Sequence, residues 1–228
     1  FKHVSIWAVH QSDFILLGSN NPIELDFGRL ENEIQAPKLQ ASLKRIGATK
    51  LNTLLSTQLA GTRTTKILAG TGIRNTDDHL ILEYIAPRTF YAAKSVRKVW
   101  EYDERKSNLF QNGLIAGPYL KQRGEPLTND DFAEMARFHL KFTQTGIVAN
   151  TIYAWLSNYP EAAKPHWLLY KFLRKLNLTA EADHTLDRIF ELAPNKIEYL
   201  QELIKTYGRE WMQGQTIFSP SDSKKLRQ

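Results

Sequence analysis

The sequence predicts two kinds of structure in one chain, an α/β segment followed by an all-α segment of helical repeats. Three observations carry that prediction. Over residues 1–19 apolar residues first alternate and then run together, as in paired strands. A polar turn, an apolar run and a proline stop then follow one another in Asn75-Thr76-Asp77-Asp78-His79-Leu80-Ile81-Leu82-Glu83-Tyr84-Ile85-Ala86-Pro87-Arg88. Further on, Pro160 and Pro194 stand 34 residues apart among apolar residues at helical spacing.

Composition narrows the chemistry. A chain of 228 residues with 42% hydrophobic and 24% charged residues is long enough for two small domains, each with its own core. The absence of cysteine removes disulfides, thiolate nucleophiles and Cys-based zinc sites. A net charge of +6 permits an anionic partner such as an anionic membrane surface. Nucleic acid is not expected, because basic residues such as Lys94, Arg97 and Lys98 are followed at once by Glu101, Asp103 and Glu104. Lys224, Lys225 and Arg227 form the one unopposed basic cluster. No apolar run reaches the length that spans a bilayer.

In chain order, Val4, Ile6 and Ala8 alternate with Ser5, Trp7 and Val9, and His10-Gln11-Ser12-Asp13 reads as the turn of a hairpin. Phe14-Ile15-Leu16-Leu17 returns without polar alternation, the pattern of a strand covered on both faces. A lone hairpin is marginal, and Phe1 enters directly into a strand without a signal peptide or initiator methionine, so the rest of the sheet is expected upstream. Ala36-Pro37 opens a helix with Leu39, Leu43 and Ile46 inward, and Gly47 closes it. Leu51, Leu54 and Leu55 predict a second helix ending near Gly61, and Ile67-Leu68 a third ending at Gly70. Gly70-Thr71-Gly72 is a turn and not a phosphate loop, because Asn75 stands where a third glycine is needed and no strand precedes it. Asn75 to Asp78 form a turn closed by side-chain hydrogen bonds, and Leu80 to Ile85 the strand after it. In a functional reading, Asp77, Asp78 and Glu83 would hold an amine or cation.

The run Phe1 to Trp7, Asp13 to Ser19, Asn75-Thr76-Asp77-Asp78 and Leu82-Glu83-Tyr84-Ile85-Ala86-Pro87-Arg88 resembles the C-terminal part of spermidine synthase-like proteins. It is most similar to the bacterial branch in which that domain is fused to a membrane transporter-like segment. The resemblance covers about the first ninety residues and marks Asn75, Thr76, Asp77, Asp78, Glu83 and Arg88 as family-motif residues. It implies the last strands of a methyltransferase-like Rossmann fold, completed by the upstream half of the same domain. It also implies aminopropyl transfer from decarboxylated S-adenosylmethionine, the co-substrate of the complete domain, to a polyamine. An amine attacks the carbon beside a sulfonium, so the complete enzyme must orient the pair and deprotonate the amine. The family's nucleoside loop and catalytic aspartate precede this region, so no catalytic, cofactor-binding or metal residue is carried onto this chain. The short His10-Gln11-Ser12-Asp13 turn departs from soluble members, which carry a longer Pro-Thr-Tyr-Pro type loop there. By the same resemblance the protein is cytoplasmic, held at the inner face of the bacterial inner membrane by upstream helices.

The second half is helical throughout. A charged helix is expected over residues 89–110, and Gly113, Gly117-Pro118 and Gly124-Glu125-Pro126 punctuate a connector. Thr128-Asn129-Asp130-Asp131 is a helix start with acids in its first turn. The 34-residue period resembles tetratricopeptide repeats, with Phe132, Met135, Ala136, Val148, Ile152 and Trp155 at packing positions of a first unit. His166, Leu169, Tyr170, Leu173, Ala182, Leu186 and Ile189 follow in a second; His166 and Val148 fit the pattern poorly, and Trp167 lies next to the expected aromatic position. A helix over 196–212 would cap the array. Such repeats imply a protein partner or packing against the enzyme domain. Asp183, His184 and Asp187 read as a solvated surface, since His184 does not share the face of the two acids. The expected organisation is a spermidine synthase-like part at 1–90, a linker at 91–127, TPR-like repeats at 128–213 and a tail at 214–228. The alternative to the transferase is a non-catalytic assembly module that uses the repeats.

Overall fold

Local stop and start signals divide the first part of the chain into short pieces. The computed structural model describes residues 1–8, 13–70, 101–106, 114–142, 145–194, 197 and 199–201. The chain splits into two compact units, Phe1–Thr151 and Ile152–Gln228.

In the first unit, strands β1 (His3–Ala8) and β2 (Phe14–Ser19) pair antiparallel, from His3 opposite Ser19 to Ala8 opposite Phe14. That is the expected hairpin, though its turn residues 9–12 lie outside the described residues. A third strand, β3 (Gln58–Ala60), lies on the other side of β1, also antiparallel, giving the order β2-β1-β3. The sequence reading placed residues 58–60 in a helix running to Gly61. The helix instead stops at Leu55, because the Thr57 carbonyl accepts a 2.9 Å hydrogen bond from Ala8 N and draws the next residues into the sheet. Non-local pairing has overridden the local leucine pattern.

Strand β2 is open to solvent: its apolar run predicted burial within a larger sheet, and here Ile15, Leu16 and Leu17 are 49%, 65% and 45% exposed. Successive strand residues point to opposite faces, so both faces of β2 are uncovered among the described residues. By contrast Ile6, Ala8, Leu59 and Ala60 form a closed apolar cluster with Phe14 and Leu68 against them.

Four helices follow in this unit, α1 (Phe27–Ile34), α2 (Pro37–Ile46), α3 (Leu51–Leu55) and α4 (Thr62–Ala69), of which α4 packs on β1 and β3. Asp26 caps α1 by accepting from Arg29 N at 2.9 Å. Pro37 opens α2, and Gly47 ends it with φ +79°, where its N–H and that of Ala48 reach Lys44 O and Leu43 O. That pair of bonds is a Schellman closure, which needs the left-handed conformation glycine supplies. Of the three α2 residues expected inside, Leu43 is buried while Leu39 and Ile46 are exposed. One inward residue suffices because α2 is a surface helix touching the core along a single line. Helix α4 ends at Gly70, as expected. A second apolar cluster joins Phe27, Ile34, Leu43, Leu51 and Leu55 to Ala116 and Tyr119 of α5 (Ala116–Arg123). The unit also contains α6 (Asn129–Phe142), which packs on α3.

The start of α6 is a reciprocal capping box. Thr128 Oγ1 accepts from Asp131 N at 3.2 Å, and Thr128 N donates to Asp131 Oδ2 at 2.8 Å. Helix α7 (Thr145–Asn158) follows, with Ile147, Val148, Ile152 and Trp155 buried.

In the second unit, α8 (Ala163–Lys175) and α9 (Thr179–Leu192) form a helical hairpin. Trp167, Tyr170, Leu173, Ala182, Leu186, Ile189 and Tyr199 make its core, with the Trp167 and Tyr170 rings stacked at 5.4 Å. The tight connection uses Asn177 at φ +60°, with Asn177 N on Arg174 O and Leu178 N on Leu173 O, both at 3.0 Å. Asparagine here does what glycine does at Gly47. His166, expected at a packing position, is only half-buried, and the neighbouring Trp167 fills the core instead. Asn129 and Ala163 open α6 and α8, and Thr145 and Thr179 open α7 and α9, so both sets of starts step by 34 residues. The fold is thus mostly helical with one small antiparallel sheet. Among the described residues no helix is long and apolar enough to cross a membrane.

Candidate functional site

The richest polar chemistry of the first unit gathers where α3 meets α6. The capping box fixes the first turn of α6, which places Asp131 and Glu134 one turn apart beside the start of α3. Glu134 accepts from Lys50 N at 2.8 Å through Oε1 and from the Thr49 hydroxyl through Oε2. Asp131 accepts from Lys50 Nζ at 2.8 Å through Oδ1 and from Arg123 at 3.3 Å through Oδ2. Burial pushes the Asp131 carboxyl up, but the hydrogen bonds from Lys50 and from the Thr128 backbone and hydroxyl outweigh it and leave the pKa lowered. Asp131 is therefore a satisfied anion that holds two cations in place.

Those cations line a cleft of about 460 Å³ bounded by α1, α3, α5 and α6. In the same lining the Tyr119 hydroxyl donates to Glu31 Oε1 at 2.6 Å. Burial, and then the Glu31 hydrogen bond, raise the Tyr119 pKa to about 12, so the hydroxyl stays protonated and stays a donor. The Tyr119 ring is fixed by an edge-on contact with Phe27 at 5.3 Å. The lining also includes Asn52, which is 2% exposed and whose Nδ2 finds no acceptor among the described residues. A buried amide donor without a partner costs roughly 1–3 kcal/mol.

Deeper in the same seam is a closed polar network. Asp103 and Arg105 have fully buried side chains and form a two-pronged ion pair, with Nε on Oδ1 and NH2 on Oδ2, both at 2.8 Å. Arg105 also reaches Ser56 O at 3.3 Å, and its own carbonyl accepts from Asn150 at 3.1 Å. His139 Nε2 lies 2.9 Å from Ser56 Oγ. Burial, and then the charge of Arg105, lower the His139 pKa to about 3. A serine against a histidine suggests a nucleophile and its base, but the donors run the other way. The one Ser56 hydroxyl proton is given to Thr53 O at 2.7 Å, so His139 Nε2–H must donate to Ser56. Ser56 and His139 are both buried, and their contact ties the end of α3 to α6.

The family-motif residues Asn75, Thr76, Asp77, Asp78, Glu83 and Arg88 lie outside the described residues, as do most of the charged helix at 89–110 and of the capping helix at 196–212. Among the described residues no three His, Asp or Glu side chains are grouped so as to hold a metal ion. The cleft residues were not singled out from sequence. Their one legible trace is Thr128 with Asp131, read there only as a helix start. Comparison with protein families, with curated proteins and with solved structures found no match to this chain.

Proposed function

We propose that this chain is the C-terminal portion of a spermidine synthase-like aminopropyltransferase, whose catalytic residues lie upstream. The observation that carries the reading is β2, which leaves Ile15, Leu16 and Leu17 exposed on a strand held, among the described residues, by one neighbour. An apolar strand of this kind suits a sheet that continues into, and is covered by, the upstream half of its own domain. The hairpin register and the motif residues Asn75 to Asp78, Glu83 and Arg88 agree with that assignment. The complete domain would take decarboxylated S-adenosylmethionine as co-substrate and pass its aminopropyl group to a polyamine, at the inner face of a bacterial inner membrane. Calorimetry on the complete native protein with decarboxylated S-adenosylmethionine tests this. Saturable binding is expected, together with aminopropyl transfer that the 228-residue chain alone does not perform. Transfer by the chain alone would overturn the division of labour.

A second reading has its own support in the 34-residue step of the helix starts, the period of tetratricopeptide repeats. On that reading the helices bind a protein partner and the enzyme domain has lost catalysis. A complete protein that binds no decarboxylated S-adenosylmethionine but retains a partner through residues 128–213 would favour it.

A further inference from the structure

We propose that the cleft between α1, α3, α5 and α6 binds a small zwitterion of the free amino acid type. Its carboxylate would lie against Lys50, Arg123 and Asn52, and its ammonium against Glu31. This goes beyond the transferase reading and does not depend on it.

Charge balance makes the first argument. Two cations, Lys50 and Arg123, and two carboxylates, Glu31 and Asp131, line the cleft, so its formal charge is zero. A simple anion would face Glu31, and a simple cation would face Lys50 and Arg123. A molecule carrying both charges can match both signs of the lining.

Donor accounting makes the second. Asp131 already accepts from Lys50, Arg123 and Thr128 N, three of the four bonds a carboxylate can take, and serves to aim the two cations. Lys50 Nζ and the Arg123 guanidinium have no other protein acceptor among the described residues, and each keeps spare N–H groups. Asn52 Nδ2, in the same lining, has no acceptor among the described residues. Lys50 and Arg123, each with N–H groups beyond its bond to Asp131, and the Asn52 amide fit a carboxylate, whose two oxygens accept up to four bonds. Glu31, also in the lining, spends one oxygen on the Tyr119 hydroxyl and keeps the other for an ammonium group. The volume of about 460 Å³ lies within the range of small-molecule sites.

The test is isothermal titration calorimetry of the whole 228-residue chain with a series of ω-amino acids from glycine to 6-aminohexanoate, alongside hexanoate and hexylamine. At least one zwitterion should bind saturably and more tightly than either singly charged comparator. Asn52→Leu removes the unpartnered donor at similar size, so it should fold at least as stably as the native chain while losing about tenfold or more in affinity. Arg123→Gln and Glu31→Gln, at partly exposed positions, should each weaken binding comparably and serve if N52L does not fold. The proposal is overturned if no zwitterion outbinds hexanoate and hexylamine, or if these variants bind as the native chain does. Neither result bears on decarboxylated S-adenosylmethionine, which is tested separately on the complete protein.

Discussion

Helices α3 and α6 are joined by polar bonds between residues 81 to 85 apart in sequence, whereas α8 and α9 meet along an apolar stripe across a three-residue connection. The two solutions fail differently. An apolar stripe loses stability in proportion to the volume removed, and a neighbour of similar size restores much of it. A buried polar seam tolerates little, since removing one partner strands the other away from water. The seam therefore specifies which segments meet, and the stripe supplies cohesion wherever helices happen to be adjacent.

The largest effect should come from the seam. Arg105→Met leaves Asp103 buried without its counter-ion and should destabilise the first unit by about 3–5 kcal/mol, read from urea unfolding. Replacing Asp103 and Arg105 together by apolar residues should recover much of that loss. In the stripe, Leu186→Ala should cost about 2–4 kcal/mol, and the loss should fall on the transition of the second unit. Equal losses for Leu186→Ala and Arg105→Met in one shared transition would erase the contrast.

The next effect is one of pH. His139 titrates at about 3 in the folded chain against an ordinary value of 6.5. Between those values the unfolded chain binds a proton that the native chain excludes. The histidine's contribution is thus complete above about 6.5 and is lost as pH falls towards 3, by on the order of 1 kcal/mol per pH unit. His139→Gln, compared with the native chain at a series of pH values, should flatten that slope. An unchanged slope would mean the histidine is not held neutral.

The difference between the two regions also explains what could be read in advance. The α8–α9 stripe was legible because Tyr170, Leu173, Ala182, Leu186 and Ile189 recur at helical spacing, and spacing is a property of sequence. So were the ends of α2, since Pro37 and Gly47 act through their own backbones. The α3–α6 seam was not, because nothing near Ser56 announces His139, and nothing near Lys50 announces Asp131. The strand β3 was missed for the same reason: Gln58–Ala60 is extended only because β1 is beside it. The Phe14–Leu17 run was read as a strand, which it is, and as one whose cover comes from a sheet completed upstream. Composition reports what a strand can pack against, and the described residues supply no such layer.

That exposed strand gives the smallest expected effect. Leu16→Thr should change the stability of this chain by less than about 0.5 kcal/mol, since the side chain is largely solvated and threonine suits a strand. In the complete protein the same substitution should cost well over 1 kcal/mol if the upstream half covers β2. Equal small effects in both would leave β2 uncovered in the whole molecule.

The most direct measurement is calorimetric titration of the complete native protein with decarboxylated S-adenosylmethionine, followed by an assay for aminopropyl transfer to a diamine. The account predicts saturable binding and transfer by the complete protein, with neither in the 228-residue chain. A complete protein that binds none of the co-substrate, or a chain that transfers alone, would contradict it.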